Sequence, residues 1–446
     1  MRRVLIANRG EIALRAVRAC RRAGLESVAV YTRADANAPH AWAADRAVCI
    51  GEGPAATSYL DAPTLLETAR RTGCDAVYPG YGFLSENAAF AEQCRALGLT
   101  FVGPAPETIR LMGDKAAARR TAAGLGVPVV PGTPEGFTDA AAAAGAARGI
   151  GFPLLLKASG GGGGRGMRVV RAADELAACF AQASAEAQAA FGNPELYLER
   201  FFDRVRHVEV QVFGDAQGQV RHLWERDCSL QRRHQKLIEE APSPALSPAQ
   251  RRELTEAALA IARGVGYVNA GTVEFILDAD SGRFFFIEMN TRIQVEHPVT
   301  EMLAGVDLVL EQLRVAAGAP LSFDPPPEPP PGAAIEWRIC AEDAERDFRP
   351  SPGRIERWRP PVGDGLRLDG WVATGAVVPP FYDSMIAKLI VAGRDRAEAL
   401  DRSALALAAF EVEGIATTIP LFRRLLAHPD FRQGSIHTRW MEEQFA

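Results

Sequence analysis

The chain has 446 residues, which at roughly 100–200 residues per domain is too many for one compact core. Hydrophobic residues at 48% and charged residues at 24% are ordinary globular values and exclude a disordered or fibrous chain. Lys plus Arg (50) against Asp plus Glu (55) gives a formal charge of −5, which argues against a nucleic-acid-binding protein, and no apolar run reaches the roughly 18 residues of a membrane span.

The apolar stretch at residues 4–7 is too short for a signal peptide and is interrupted by Asn8-Arg9. Over the first hundred residues strand signals (4–7, 27–31, 76–78, 100–102) alternate with helical spacing (11–22, 64–71, 88–97), the pattern of βαβ units and a parallel sheet. No Gly-x-Gly-x-x-Gly follows the first strand, so a dinucleotide site is not expected. Beyond residue 113, strand signals at 154–157, 167–170, 195–201, 207–213 and 220–224 run together without helices between most of them. A helix at 248–263 then precedes two more strands at 272–277 and 283–290, so antiparallel pairing and an α+β region are expected. The proline-rich stretch at 325–332 marks a boundary, and the remainder mixes short strands with a helix at 396–410. Seven scattered cysteines with no Cys-x-x-Cys pair read as reduced thiols of a cytoplasmic enzyme.

Three features carry chemistry. Five glycines, Gly160 to Gly164, lie between two strand signals, where bare amides can approach phosphate oxygens, although no Walker loop is present. Glu274 and Glu288 lie on strands whose hairpin, if centred near Ser281, sets them opposite each other with Asn290 on the same face. Facing carboxylates need a cation, and two glutamates with an amide oxygen suit Mg²⁺ shared with phosphates. Arg292, Gln294 and Glu296 fall on one side if the segment after Asn290 stays extended, placing a cation and a proton acceptor beside that metal. The cluster Gln231-Arg232-Arg233-His234-Gln235-Lys236 reads either as a solvated face or as cations for phosphates, and His207 shares the polar face of its strand with Glu209 and Gln211.

Longer motifs then match. Asn8-Arg9-Gly10-Glu11-Ile12-Ala13, the run from Pro79 to Asn87, Met112-Gly113-Asp114-Lys115, Lys157 through Met167, His207-Val208-Glu209, Glu225 through Glu240, Glu288 through Glu301 and Met385 through Leu389 together resemble the biotin carboxylase family, and the resemblance spans the chain. It implies an α/β and α+β multidomain fold: a doubly wound N-terminal domain (1–112), an ATP-grasp central domain (113–324, mobile lid at about 129–202) and a mixed α+β C-terminal domain (325–446). The implied activity is ATP-dependent carboxylation of biotin on a carrier protein, with bicarbonate as substrate and Mg²⁺ (or Mn²⁺) as metal. This is the first half-reaction of an acetyl-CoA or other acyl-CoA carboxylase.

By position, the resemblance assigns Lys115, Lys157, Gly163 and Gly164 to the ATP phosphates and Glu199, Arg200, Phe201 and Phe202 to the adenine. It sets His207, Gln231 and His234 around the nucleotide, with Glu274, Glu288 and Asn290 as metal ligands. Lys236, Arg292, Gln294, Val295, Glu296 and Arg338 form the implied bicarbonate and biotin pocket, with Tyr81 as a biotin neighbour and Lys236, Arg292, Glu296 and Arg338 as the catalytic set. Phe202 departs from the aliphatic residue familiar at that hinge. No Ala-Met-Lys-Met biotinylation motif occurs, so the biotin carrier protein or domain and the carboxyltransferase are expected elsewhere, with this chain a free-standing subunit or part of a larger carboxylase. A homodimer is expected, with no nucleic-acid or membrane partner. A carbamoyl-phosphate-type ligase would share the metal glutamates but not need Arg292–Glu296 together with Arg338. A non-catalytic nucleotide module should lack Glu288, Lys236 or Glu296.

Overall fold

The computed structural model describes residues 1–158, 167–324 and 331–445. Gly163 and Gly164, and with them the glycine run, lie outside the described residues. The chain divides into a larger unit (1–127, 206–276 and 288–446) and a smaller one (128–205 and 277–287), each described by itself.

The larger unit opens with the parallel sheet the alternation predicts: β1 (Arg3–Ile6), β2 (Glu26–Tyr31), β3 (Arg46–Cys49), β4 (Ala76–Tyr78) and β5 (Thr100–Phe101), ordered β3-β2-β1-β4-β5. Burial of β1, β2 and β4 on both faces explains their near-continuous apolar runs, while β3 is a largely exposed edge. The order reverses between β1 and β4, the switch point where open sheets of this kind expose a crevice at their strand ends. Asn8, just past β1, closes that point by donating from Nδ2 to the carbonyls of Pro79 and Tyr81, each at 2.7 Å. Gly80 lies between them at φ +65°, and a Cβ there would meet Ile12 at 2.9 Å, so only glycine fits.

A second, eight-stranded sheet carries the chemistry. After β9 (Val205–Gly214), β10 (Val220–Arg232) and β11 (Gln235–Ala241) come β12 (Asn269–Asp278), β13 (Phe284–Asn290) and β14 (Ala333–Cys340). The order is β13-β12-β9-β10-β11-β14, followed by strands Met385–Gly393 and Leu366–Gly370. β9–β10, β10–β11 and β11–β14 are antiparallel, as strands grouped without helices imply. Through β14 the sheet continues past the proline-rich stretch. One face of β14 places Ile335, Trp337 and Ile339 in a buried core with Leu389 and Phe422. The other turns Glu336 and Arg338 toward the helix His297–Ala304, against which β11, β14 and strand Met385–Gly393 pack.

The smaller unit holds a three-stranded antiparallel sheet ordered β7 (Met167–Val170), β6 (Leu154–Ala158), β8 (Leu196–Arg200), covered by helices Ala140–Ile150 and Leu176–Phe191. No helix among the described residues is long and apolar enough to cross a membrane, and all seven cysteines are free thiols.

Candidate active site

The charged face of the second sheet gathers residues far apart in sequence around one ammonium. Lys236 begins β11, and its Nζ donates to Glu209 at 2.6 Å, Glu296 at 2.7 Å, Glu274 at 3.1 Å and the Gln294 amide oxygen at 3.2 Å. Glu209 is on β9, Glu274 on β12, and Glu296 caps the helix His297–Ala304, so four elements converge here. Arg226 of β10, fully buried, holds Glu209 from the other side at 2.6 Å and binds Gln211, Thr272 and Thr300.

These cations fix the carboxylates in their charged form. Burial opposes ionisation of Glu296, yet Lys236, with Arg338 and Arg226 behind it, holds its carboxyl below the usual range. Glu209 and Glu274 are likewise lowered against burial, chiefly by Lys236, and Lys236 is itself raised well above an ordinary lysine. Burial disfavours the imidazolium of His207, but Glu274 (3.0 Å from Nε2) outweighs it and raises His207 to about 9.

Arg338 completes the centre. It donates to Glu296 at 2.9 Å and pairs closely with Glu239 of β11. Lys388, fully buried on strand Met385–Gly393, donates to the Val295 carbonyl at 2.7 Å and pairs with Glu11 at 2.9 Å. Glu11 in turn accepts a short hydrogen bond from the Tyr81 hydroxyl. Val295 and Tyr81 are thus tied to one buried lysine.

The segment after β13 differs from the extended run expected from its alternation. β13 stops at Asn290, and residues 291–296 bend into the following helix. The bend brings Gln294 and Glu296 to Lys236 but sends Arg292 to Glu86 (2.8 Å) and to the Asn290 Oδ1 (2.9 Å). Pro298 at the second helical position explains the turn, since its ring fixes a helical φ and leaves no N–H to satisfy.

Asn290 and Glu274 share a face, because the Asn290 amide donates to Glu274 at 2.9 Å. Glu288, half-buried, pairs with the exposed Lys115 at 3.0 Å. Glu274, Glu288 and the Asn290 carbonyl are all hard oxygen donors and fit Mg²⁺. Two other ligand-like groups, His207/Glu209/Glu274 and Glu209/Cys228/Glu296, each include two of the three carboxylates that Lys236 already neutralises.

Gln231 is buried and donates to the Cys228 carbonyl at 2.8 Å, whereas His234 is exposed at the β10–β11 turn with φ +66°. The basic pair between them splits away: Arg232 and Arg233 both bind Asp347. Within the smaller unit Lys157 pairs closely with Glu199 across β6 and β8, Arg200 donates to the Phe152 carbonyl at 2.7 Å, the Arg171 guanidinium lies over the Phe201 ring, and Phe202 stacks on Phe285 with centroids 5.1 Å apart.

Glu209, Arg226, Glu239, Glu336, Glu86, Glu11 and Lys388 belong to this network but were not picked out as site residues from sequence. For Lys388 a signal existed: it is the one charge in Met385-Ile386-Ala387-Lys388-Leu389-Ile390-Val391. Glu336 and Arg338 likewise alternate with Ile335, Trp337 and Ile339, so both had to face away from the core.

Comparison with known proteins agrees along the whole chain. Three family models match in succession: biotin carboxylase, N-terminal domain (residues 1–109), carbamoyl-phosphate synthase L chain, ATP binding domain (114–323), and biotin carboxylase C-terminal domain (336–443). The biotin carboxylase of Nostoc sp. is 51% identical over 442 residues, covering 99% of this chain and 98% of that protein. Biotin carboxylase 1 of Bacillus subtilis is 49% identical over 442 residues, again covering 99% of this chain and 98% of that protein. A crystal structure of the biotin carboxylase domain dimer of Hydrogenobacter thermophilus 2-oxoglutarate carboxylase, in complex with MgADP, ADP and bicarbonate, superposes with a TM-score of 0.91 at 47% identity over 99% of this chain and 97% of that one. With the three matched segments in order, half its residues shared with full-length relatives, and the charged centre assembled, the chain belongs to the biotin carboxylase family.

Proposed function

We propose that this chain catalyses ATP-dependent carboxylation of biotin presented on a carrier protein or domain, through carboxyphosphate formed from bicarbonate. The observation that carries the reading is Glu296: a buried carboxylate kept ionised between Lys236 and Arg338. Bicarbonate is an anion, and on binding it would draw those cations to itself. Glu296, stripped of part of its counter-charge, then becomes a better base for the bicarbonate proton. Arg292, Gln294 and the Val295 backbone would hold the anion, and the Lys388 bond to Val295 fixes that backbone.

Lys115, Lys157, Gly163 and Gly164 are assigned to the phosphates, Glu199, Arg200, Phe201 and Phe202 to the adenine, and His207, Gln231 and His234 to the rest of the nucleotide. Glu274, Glu288 and Asn290 would hold Mg²⁺, which neutralises charge on the transferring phosphoryl group. Phosphate released from carboxyphosphate takes the biotin N1 proton, and the Arg338 guanidinium stabilises the developing ureido enolate, with Tyr81 beside it. The carboxyl group then passes to a carboxyltransferase acting on acetyl-CoA or another acyl-CoA. The working assembly is a cytoplasmic homodimer, each chain built of three domains at residues 1–112, 113–324 and 325–446.

The experiment is phosphate release from Mg·ATP with and without bicarbonate and free biotin, with carboxybiotin assayed in the same reaction. Bicarbonate-dependent phosphate release accompanied by carboxybiotin supports the proposal. Phosphate release indifferent to bicarbonate, or carbamoyl phosphate made when ammonia is supplied, overturns it.

A further inference from the structure

Beside the proposed pocket lies a pair of acids that the reaction above does not use. β11 and β14 run antiparallel with Glu239 directly opposite Glu336, a register that brings Cβ atoms to about 4.5–5.5 Å. Both side chains are fully buried. Among the described residues neither carboxyl has a hydrogen-bond partner for either oxygen, and Glu239 is held only by its ion pair with Arg338. Like charges so placed, without water, cannot both be ionised.

The surroundings leave too few cations for two charges. Arg338 is shared between Glu239 and Glu296, and Lys388, directly opposite Arg338 on strand Met385–Gly393, is engaged by Glu11 and by the Val295 carbonyl. Lys236 and Cys228 face the pair from the other side, Lys236 already serving Glu209, Glu274 and Glu296. Asp369 beside Lys388 is paired with Arg367, and Tyr81 donates to Glu11. A bound proton is what balances this arrangement.

We propose that Glu239 and Glu336 form one acid pair holding a single proton, seated on Glu336, which leaves the Glu239 carboxylate to anchor Arg338 where biotin needs it. Both are positioning residues, acting through Arg338 and touching no substrate. Their role, though not their proton, rests on the reading of Arg338 given above. Burial raises both carboxyls: Glu239, partly restrained by Arg338, reaches about 7, and Glu336 goes well above the usual range. The pair is therefore singly protonated above about pH 7, and below it Glu239 takes a second proton and releases Arg338.

The test pairs activity with infrared spectroscopy on the full chain, using free biotin, Mg·ATP and bicarbonate across about pH 6 to pH 9. In the wild type the ratio of carboxybiotin to phosphate should fall on the acid side with a midpoint near 7. Glu239→Gln should lower the ratio by about tenfold or more at about pH 8 and abolish the acid limb while phosphate release continues. Glu336→Gln, an isostere of the protonated acid, should leave the midpoint in place. A midpoint displaced by about one unit or more in Glu336→Gln would show Glu336 to be ionised in the working state and overturn the proposal. A protonated-carboxyl C=O band at about pH 8 should be present in the wild type and lost in Glu336→Gln. Its absence from the wild type overturns the shared proton whatever the kinetics show. Arg338→Ala leaving the ratio unchanged, with the band intact, would remove the reading of Arg338 instead.

Discussion

Replacing Lys236 by methionine tests whether one ammonium holds the charged centre together. At about 3 Å and an effective dielectric near 20, each of its three carboxylate contacts is worth roughly 5 kcal/mol of gross attraction, offset by several kcal/mol for removing the ammonium from water. Breaking a buried pair by deleting one partner costs about 3–5 kcal/mol net, and here three carboxylates each lose one cation while Arg226, His207 and Arg338 stay beside Glu209, Glu274 and Glu296. A loss near the upper end of that range is expected at about pH 8. The pH dependence has a definite sign. In the wild type, Glu209, Glu274 and Glu296 have lowered folded pKa values, so they contribute stability above the unfolded value of about 4.3 that is lost as pH falls through the folded values. Without Lys236 the folded values rise, as burial is opposed only by Arg226, His207 and Arg338, so the stability these groups contribute at higher pH shrinks. The gap between variant and wild type should widen from about pH 5 to pH 8. Urea unfolding followed by tryptophan fluorescence reads the right region, because Trp42, Trp224, Trp337, Trp358, Trp371 and Trp440 all lie in the larger unit. A loss below about 1 kcal/mol, or one equal at both pH values, refutes the reasoning.

Three further outcomes are expected. Glu288→Gln should reduce Mg·ATP turnover by orders of magnitude while leaving urea unfolding nearly unchanged, since its partner Lys115 is exposed and the substitution keeps the side chain's volume; retention of more than about a tenth of the rate would remove it from the metal site. Arg338→Ala should depress carboxybiotin formation far more than bicarbonate-dependent phosphate release, and Arg338→Lys should restore part, as it returns the charge without the planar fork; equal losses in both products would place Arg338 on bicarbonate instead. Lys388→Met should raise the KM for bicarbonate by about tenfold or more through the loosened Val295 backbone, and an unchanged KM would show that the Val295 bond positions nothing.

The sequence exposed the first sheet almost strand for strand because parallel strands buried on both faces are short apolar runs, and nothing competes with that signal. It exposed much less of β10. The apolar pattern ends at Trp224, yet the strand continues to Arg232 through Glu225, Arg226 and Asp227, all buried. A charge inside a strand reads as a surface or a turn until its partners are known. Those of Arg226 lie at Glu209, Gln211, Thr272 and Thr300, as many as 74 residues away. The bend at 291–296 was hidden for a related reason, since alternation after Asn290 fits a strand as well as a turn, and only Lys236 decides which side chains converge. Lys236 and Glu296 were legible because they lie in long motifs, Glu274 because its hairpin sets it against Glu288, and Arg338 only by position through the family resemblance. Their partners Glu209, Glu239 and Glu336 occupy equally regular positions but carry no chemistry of their own in the half-reaction.

That division has a thermodynamic reading. Buried carboxylates and cations of this density are rarely the most stable way to fill a sheet face, and apolar residues of similar volume would commonly do as well or better. What the charges provide is exchange. Glu296 is held by Lys236 and Arg338, and both cations are the ones an incoming anion would seek. A preformed anion in the pocket keeps the cations in place and their geometry defined, so a substrate anion substitutes for a carboxylate rather than ordering a loose side chain. Glu239 does the same for Arg338 from the opposite side, and its own charge depends on where the proton of Glu336 resides. Replacing Glu239 and Glu336 together with Gln should therefore impair carboxybiotin formation, because Arg338 loses the carboxylate that anchors it on β11. If the double variant were fully active, the acid pair on β11 and β14 would have no part in placing Arg338.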